Sequence, residues 1–176
     1  MSKEYEIIQP QMIEWKTWQP SMLSSLVFIC RDAEVLLIRK KTGLGAGKIN
    51  APGGKIEYGE NAETAAIREV EEEVKLKVKD LKKMGTLKFQ FIDGSNLALH
   101  CTVFKTLEFI GEPEETTEAT PFWCNNNEIP YKEMWADDIC WLPGMLEGNC
   151  FEGEFVFEGD SMLWKDIRWH QIDQES

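Results

Sequence analysis

Three glutamates near the middle of the chain have the spacing of a metal-binding helix face. Glu69, Glu72 and Glu73 stand at i, i+3 and i+4, so on a helix their side chains share one face. Like charges at this spacing destabilise a helix by roughly 0.2–0.5 kcal/mol per pair. A divalent cation removes that penalty, and Mg²⁺ is usually held by a few carboxylates together with substrate phosphates. Most acidic runs are only solvated helix faces, so the spacing alone leaves both interpretations open.

The residues around these glutamates favour the metal site. A Gly53-Gly54 turn precedes the predicted helix, Glu60 follows Gly54 by six residues, and Arg68 follows Glu60 by eight. The stretch resembles the signature of the Nudix hydrolase family, G-x5-E-x7-R-E-U-x-E-E-x-G-U, in which U is aliphatic. The matching positions are Gly54, Glu60, Arg68, Glu69, Val70, Glu72, Glu73 and Leu76, and the one departure is Lys75 in place of glycine.

The family resemblance implies a reaction and a metal. Nudix hydrolases cleave a nucleoside diphosphate linked to another group, with the help of a divalent cation. Mg²⁺, or Mn²⁺ in its place, is therefore expected at Glu69, Glu72 and Glu73, with the carbonyl of Gly54 within reach of the metal.

Three further residues complete the expected catalytic set. In the family, Arg68 and Glu60 commonly form an ion pair that holds the helix geometry. The general base comes from the signature in some members and from a downstream loop in others. Glu118 ends an acidic loop before a short predicted strand. It is either a further metal ligand, the base that activates water, or an exposed loop glutamate.

Three segments outside the signature resemble one branch of the family, the animal MutT homologues. They cover residues 40–50 (KKTGLGAGKIN), 129–138 (IPYKEMWADD) and 151–159 (FEGEFVFEG). That branch hydrolyses oxidised purine nucleoside triphosphates such as 8-oxo-dGTP to the monophosphate and pyrophosphate. The resemblance therefore implies a small nucleotide as the substrate.

The same resemblance implies which residues bind the nucleotide. Asn50 would hydrogen-bond the base edge, Trp135 would stack on the purine, and Asp137 and Asp138 would read its Watson–Crick edge. Two adjacent carboxyls can share a proton, so that one accepts a hydrogen bond while the other donates. Taken alone, the tryptophan would suit a core and the aspartates a helix N-terminus. Near the phosphates we expect Lys40, and as further pocket walls Leu44, Phe89, Phe91 and Leu99.

Composition limits the possible partners and compartments. The 176-residue chain has a net charge of −12, which disfavours binding to a nucleic-acid polymer. No apolar run approaches the roughly 18 residues of a membrane span, and the N-terminus lacks the pattern of a signal peptide. The five cysteines include no C-x-x-C pair, which indicates reduced thiols and a cytoplasmic protein. We expect a monomer or a homodimer.

Hydrophobic patterning predicts an α/β fold, and the family resemblance makes it an α/β/α sandwich with a mixed sheet. We expect an N-terminal extension over residues 1–20 that packs on a Nudix domain over residues 21–176. Trp15 and Trp18 in the extension would cover an apolar patch, contribute to a dimer contact or form a base-stacking wall. The predicted strands cover residues 26–30, 34–38, 48–51, 84–92, 96–105, 122–124, 150–158 and 161–169.

The signature helix has a clear start and an unusual end. Asn61 is a suitable N-cap, and Glu63 suits the positive end of the helix dipole. Because Lys75 replaces the usual glycine, we expect the helix to end there in a turn that is not left-handed. A later amphipathic segment begins near Asp138, and Pro143 is expected to kink or end it.

Two other functions compete with hydrolysis of oxidised purine nucleotides. One is a Nudix hydrolase for another nucleotide, such as an unmodified or methylated triphosphate or a dinucleotide. The other is a non-catalytic nucleotide-binding module, which the complete set of signature carboxylates disfavours. An RNA-cap hydrolase is disfavoured by the acidic charge.

Overall fold

A computed structural model of the chain describes residues 8–170. The first seven residues of the predicted extension and the last six of the predicted domain lie outside this range. Short 3₁₀ turns occur at Pro10–Met12 and Tyr131–Glu133. The strands and helices are β1 (Met22–Arg31), β2 (Glu34–Lys40), β3 (Ile49–Asn50), β4 (Gly53–Lys55), α1 (Ala62–Val74), β5 (Lys77–Lys79), β6 (Lys82–Phe91), β7 (Ala98–Thr106), β8 (Glu108–Ile110), β9 (Ala119–Asn125), α2 (Asp138–Leu146), β10 (Cys150–Glu158) and β11 (Ser161–His170).

Nine strands of the described residues form one mixed sheet. Its order is β11-β10-β6-β7-β1-β2-β3, with β4 paired to β1 and β9 paired to β2. The predicted hairpins β1–β2, β6–β7 and β10–β11 are all antiparallel, as expected. The parallel pairs β1–β7 and β6–β10 join these hairpins and bring segments far apart in the chain side by side.

The two helices cover opposite faces of this sheet. The apolar side of α1 packs with Val27 and Ile29 of β1. Trp141 and other apolar residues of α2 pack with Phe28 of the same strand. Alternate residues of β1 therefore face the two helices, and the predicted α/β/α sandwich is confirmed. Among residues 8–170, no helix has the length and apolar character needed to span a bilayer.

The structure overturns the turn expected at Lys75 and the expectation that Pro143 ends its helix, whereas a kink at Pro143 stays a prediction. Lys75 adopts the left-handed conformation (φ 62°, ψ 27°), and its N–H donates to the carbonyl of Glu71 at 3.1 Å. The left-handed backbone costs about 1 kcal/mol without glycine, and complete burial of the next residue, Leu76, offsets it. Helix α2 continues through Pro143 to Leu146. The carbonyl that loses its N–H partner there belongs to Ile139, which is 57% exposed, so water can hydrogen-bond it.

The described part of the N-terminal extension contacts the far end of the sheet. Trp15 stacks on Trp164 of β11, with ring centroids 5.7 Å apart. The indole N–H of Trp18 donates to Oε1 of Gln90 in β6 at 2.8 Å. Neither tryptophan is among the residues that line the main pocket, so the described part of the extension does not supply a base-stacking wall there. The domain boundary at residue 20 stays a prediction.

All five cysteines are free thiols. Cys30, Cys101 and Cys124 are buried, and Cys140 and Cys150 are half-buried. The predicted pattern of mostly buried, unpaired cysteines is confirmed.

Candidate active site

The turn before α1 brings the helix carboxylates against the sheet. Gly54 lies in β4 opposite Ser25 of β1. A Cβ atom on Gly54 would lie 2.5 Å from Cδ of Glu69, a distance that real contacts do not reach. Glycine at this position therefore lets the Glu69 carboxylate pack directly on the backbone, and a larger residue would force that carboxylate to move. The helix then begins as predicted, with the side chain of Asn61 accepting the N–H of Thr64 at 2.8 Å.

Arg68 joins the start of the signature to its helix. Its Nε and Nη2 atoms donate to the two carboxylate oxygens of Glu60, both at 2.8 Å, so the predicted ion pair is confirmed. Nη2 also donates to the carbonyl of Lys55 at 3.1 Å, and Nη1 donates to Glu69 at 2.9 Å. The hydrogen bonds from Arg68 lower the pKa of Glu60. These contacts fix the loop and the carboxylate of Glu69 together.

Three carboxylates converge at the C-terminal half of α1. One oxygen each from Glu69, Glu73 and Glu118 lies within 4.8 Å of the other two. Glu73 is 4% exposed, and its Oε2 has no hydrogen-bond partner among residues 8–170. Burial raises the pKa of Glu73 to about 8 and also raises the pKa of Glu69. Oxygen ligands and a buried carboxylate oxygen without a partner fit a hard divalent cation, whose charge would keep both groups ionised.

Glu72 lies apart from this cluster in the structure. Its side chain is 50% exposed, and its Oε2 lies 3.2 Å from Nη1 of Arg68, four residues earlier on the helix. The attraction to Arg68 holds the Glu72 carboxylate on the solvent side of α1. The prediction that Glu72 joins Glu69 and Glu73 at the metal is therefore not met by this geometry, and its role as a ligand stays a prediction.

A pocket of about 140 Å³ opens on the α2 side of the sheet and reaches the acidic cluster. Gly54 and Glu73 line its end near the cluster. The structure brings together every residue that the sequence analysis expected to bind the nucleotide. These residues are Lys40, Leu44, Asn50, Phe89, Phe91, Leu99, Trp135, Asp137 and Asp138.

The two aspartates at the N-terminal end of α2 are buried in this pocket. Asp137 is 1% exposed and Asp138 is 4% exposed. Oδ2 of Asp137 accepts the indole N–H of Trp141 at 2.8 Å. Oδ1 of Asp137 and Oδ2 of Asp138 have no partner among the described residues. Burial raises the pKa of Asp137 to about 6 and the pKa of Asp138 well above its ordinary value, so the pair readily retains a proton.

Trp135 forms a wall of the pocket. Its ring meets the rings of Phe91 and Phe157 edge-on, with centroids 6.1 Å and 5.7 Å away. A Cβ atom on Gly45 would lie 2.8 Å from its Nε1, so the glycine-rich loop packs closely against it. Nζ of Lys48 lies 5.0 Å from the ring centroid. The indole is thus held by its surroundings while one part of it lines the cavity.

Asn50 has an orientation that suits hydrogen bonding to a base. Its Oδ1 accepts the N–H of Ala51 at 2.8 Å. This contact orients the side-chain amide and leaves its NH₂ group to donate to a ligand. Asn50 is half-buried at the edge of the pocket, where β3 pairs with β2.

Several pocket residues were not anticipated from the sequence. Those on β1 and β7 could be identified only from the pairing of these two strands. The others lie on β2, β4, β6 and β10 or, like Ala51, between β3 and β4. The sequence offered one signal for such residues. Alternation along the predicted strands indicates which positions share a face with Phe89 or Leu99. The unanticipated residues are Met22, Ser24, Ser25, Leu26, Ile38, Ala51, Gly53, Lys55, Leu87, Cys101 and Phe157.

Comparison with solved structures supports the fold. The crystal structure of a MutT protein from Bacillus halodurans superposes with a TM-score of 0.73 at 24% identity, covering 83% of this chain and 97% of that one. The MutT NUDIX hydrolase from Burkholderia pseudomallei superposes with a TM-score of 0.62 at 26% identity, covering 69% and 95%.

Comparison with curated proteins places the chain in a family. It is 42% identical to the oxidized purine nucleoside triphosphate hydrolase of Danio rerio, over 88% of this chain and 96% of the relative. It is 38% identical to the protein of the same name from Mus musculus, over 84% and 95%. The NUDIX domain model matches residues 20–145. The chain therefore belongs to the NUDIX family of hydrolases.

Proposed function

We propose that this protein is a Mg²⁺-dependent pyrophosphohydrolase that converts oxidised purine nucleoside triphosphates, such as 8-oxo-dGTP, to the monophosphate and pyrophosphate. Mn²⁺ is a possible substitute metal. The observation that carries the proposal is the buried pair Asp137 and Asp138, which has oxygens without a partner among residues 8–170, in a pocket that continues to the acidic cluster. Two relatives that share most of the chain carry the corresponding activity in their names.

The acidic cluster supports the hydrolytic half of the proposal. A divalent cation bound there would neutralise phosphate charge and lower the pKa of an attacking water. Glu69, Glu73 and Glu118 would hold this cation, together with Glu72 and the carbonyl of Gly54. Lys40 lines the pocket near Glu73, where its positive charge partly offsets the effect of burial on the pKa of Glu73, and it would approach the phosphates. Glu118 is exposed, so water can reach its carboxylate, which could accept a proton as the general base.

The pocket supports the choice of base. Asn50 would donate to the base edge, Trp135 would stack on the purine, and the two aspartates would read the Watson–Crick edge. Because the pair retains one proton, it presents a donor beside an acceptor, an arrangement suited to the altered hydrogen-bonding pattern of an oxidised purine. Buried polar groups reject a ligand that leaves them unpaired, which makes the pocket selective.

The test is a kinetic panel that includes 8-oxo-dGTP, 2-hydroxy-dATP, dGTP, a methylated purine triphosphate and a dinucleotide. We expect kcat/KM for an oxidised triphosphate to exceed that for dGTP by at least about 10-fold, since unpaired buried polar groups cost on the order of 1–3 kcal/mol. Equal values would refute the substrate class while leaving the hydrolysis intact. We further propose a cytoplasmic location, where the five free thiols stay reduced.

A further inference from the structure

Glu118 is held in the acidic cluster by its backbone. Its side chain is exposed, yet one of its oxygens lies within 4.8 Å of an oxygen of Glu69 and an oxygen of Glu73. Electrostatic repulsion would move an unrestrained carboxylate away from such neighbours. A structural feature of the loop between β8 and β9 must therefore oppose that movement.

The hydroxyl of Thr116 connects this loop to the helix that carries the other carboxylates. Oγ1 donates to the backbone carbonyl of Glu73 at 2.7 Å. The same oxygen accepts the N–H of Glu118 at 3.2 Å. The carbonyl of Glu73 belongs to the last turn of α1, whose carbonyls lack partners within the helix. One side-chain oxygen thus links the backbones of two of the three clustered glutamates.

We propose that Thr116 is the positioning residue that sets Glu118 against Glu69 and Glu73 for metal binding. The inference rests on the proposed function, because it concerns the same metal site. Only a hydroxyl can donate to one backbone and accept from the other at this position. Partners that orient metal ligands typically change metal affinity by about 10–100-fold when they are removed.

A second set of contacts holds the loop from its other side. Nζ of Lys41 donates to the carbonyl of Thr116 at 2.8 Å and to Glu115 at 2.7 Å. The backbone N–H of Lys41 donates to the carbonyl of Glu118 at 2.9 Å. These bonds keep the loop folded when the Thr116 hydroxyl is removed, so a valine variant isolates the link to Glu73.

The experiment measures the Kd for Mn²⁺ by titrating the substrate-free protein with the metal. Electron paramagnetic resonance monitors the concentration of free Mn²⁺ at each step. Thr116→Val should raise the Mn²⁺ Kd by about 10-fold, while Thr116→Ser, which keeps the hydroxyl, should stay within about 3-fold of the wild type. Thr117→Val is the matched control, because Thr117 is the exposed neighbour and should bind Mn²⁺ like the wild type. Melting temperatures of all variants check that they are folded.

A double variant that carries Thr116→Val and Glu118→Gln shows whether Thr116 acts by positioning Glu118 or by supporting the fold of the loop. If Thr116 acts through Glu118, Thr116→Val should add less than about 2-fold to the loss already caused by Glu118→Gln. An unchanged Kd in Thr116→Val, or a full additive loss in the double variant, would overturn the proposal. Pyrophosphate release by the wild type is measured in parallel. If the wild type releases pyrophosphate but Thr116→Val has an unchanged Mn²⁺ Kd, only the role of Thr116 is refuted. If the wild type neither binds Mn²⁺ nor releases pyrophosphate, both proposals are refuted.

Discussion

The acidic cluster and the base pocket, the cavity that holds Asp137 and Asp138, place their carboxylates in different surroundings. In the cluster, Glu69 has the guanidinium of Arg68 beside it and Glu118 is open to solvent, and only Glu73 is buried with an oxygen that has no partner among the described residues. Asp137 and Asp138 are almost completely buried and have no cationic partner among the residues described. The proposed function assigns the reaction chemistry to the first region and the selectivity for the base to the second.

Removing a buried ligand of the cluster should have the largest effect. Glu73→Gln should lower kcat by about 1,000-fold, because metal-assisted charge stabilisation contributes several kcal/mol. Glu71→Gln is the matched control, since Glu71 is an exposed glutamate on the same helix and should retain wild-type kcat. Steady-state pyrophosphate release measures both, and equal effects of the two variants would contradict the assignment of the cluster.

Glu72→Gln tests the ligand that the structure leaves outside the cluster. We expect a fall in kcat of about 100-fold or more, with nucleotide binding largely retained, if the metal recruits Glu72 from Arg68. Measurement of kcat and of nucleotide Kd separates the two effects. An unchanged kcat would show that Glu72 serves only as a partner of Arg68.

Asp137→Asn should change selectivity more than turnover. Asparagine can still accept the indole N–H of Trp141, but it carries a different set of donors and acceptors towards the base. The ratio of kcat/KM for 8-oxo-dGTP to that for dGTP should fall by about 10-fold or more. The measurement compares this ratio between the wild type and the variant. A uniform loss of kcat/KM for all bases would count against base recognition by Asp137.

The buried aspartates should also change how stability depends on pH. Burial raises the pKa of Asp137 from 3.8 to about 6, and that of Asp138 is raised as well. The folded state then holds protons more tightly than the unfolded state. The aspartate pair therefore destabilises the folded state least at low pH. The free energy of unfolding falls as pH rises from the pKa of the aspartates in the unfolded state to their pKa in the folded state.

Denaturant unfolding at pH 5 and pH 7.5 measures this contribution. The wild type should lose on the order of 2 kcal/mol more free energy of unfolding over this interval than the Asp137→Asn/Asp138→Asn variant. Comparison with the variant cancels the titration of other groups, including Glu73. Parallel pH profiles would show that the pair is ionised in the folded state.

The two regions also differ in how well they could be predicted from the sequence. Apart from Glu118, the proposed reaction residues lie in one helix and the loop before it, so a single contiguous signature contains them, and the family resemblance implied the pair formed by Glu60 and Arg68. The base pocket draws on residues from Met22 to Phe157, and only its resemblance to a known branch located Trp135 and the aspartates. Ser25 and Cys101 were missed, because their place depends on the parallel pairing of β1 with β7.

Two residues of the signature, Glu72 and Lys75, differ from the predictions for specific physical reasons. Spacing put Glu72 on the same face as Glu69 and Glu73, but a salt bridge to Arg68 directs its carboxylate elsewhere. Periodicity cannot include such competition between neighbouring charges. Lys75 was expected to avoid the left-handed conformation, but packing of Leu76 in the core outweighs the local preference of the backbone.

Binding of the monophosphate products tests the division between the two regions most directly. Calorimetry without metal would compare Kd for 8-oxo-dGMP and dGMP in the wild type, Glu73→Gln and Asp137→Asn. We predict that the ratio of the two constants is retained in Glu73→Gln and falls by about 10-fold or more in Asp137→Asn. An equal loss of discrimination in both variants, or none in either, would contradict the assignment of chemistry to the acidic cluster and of base selection to the buried aspartates.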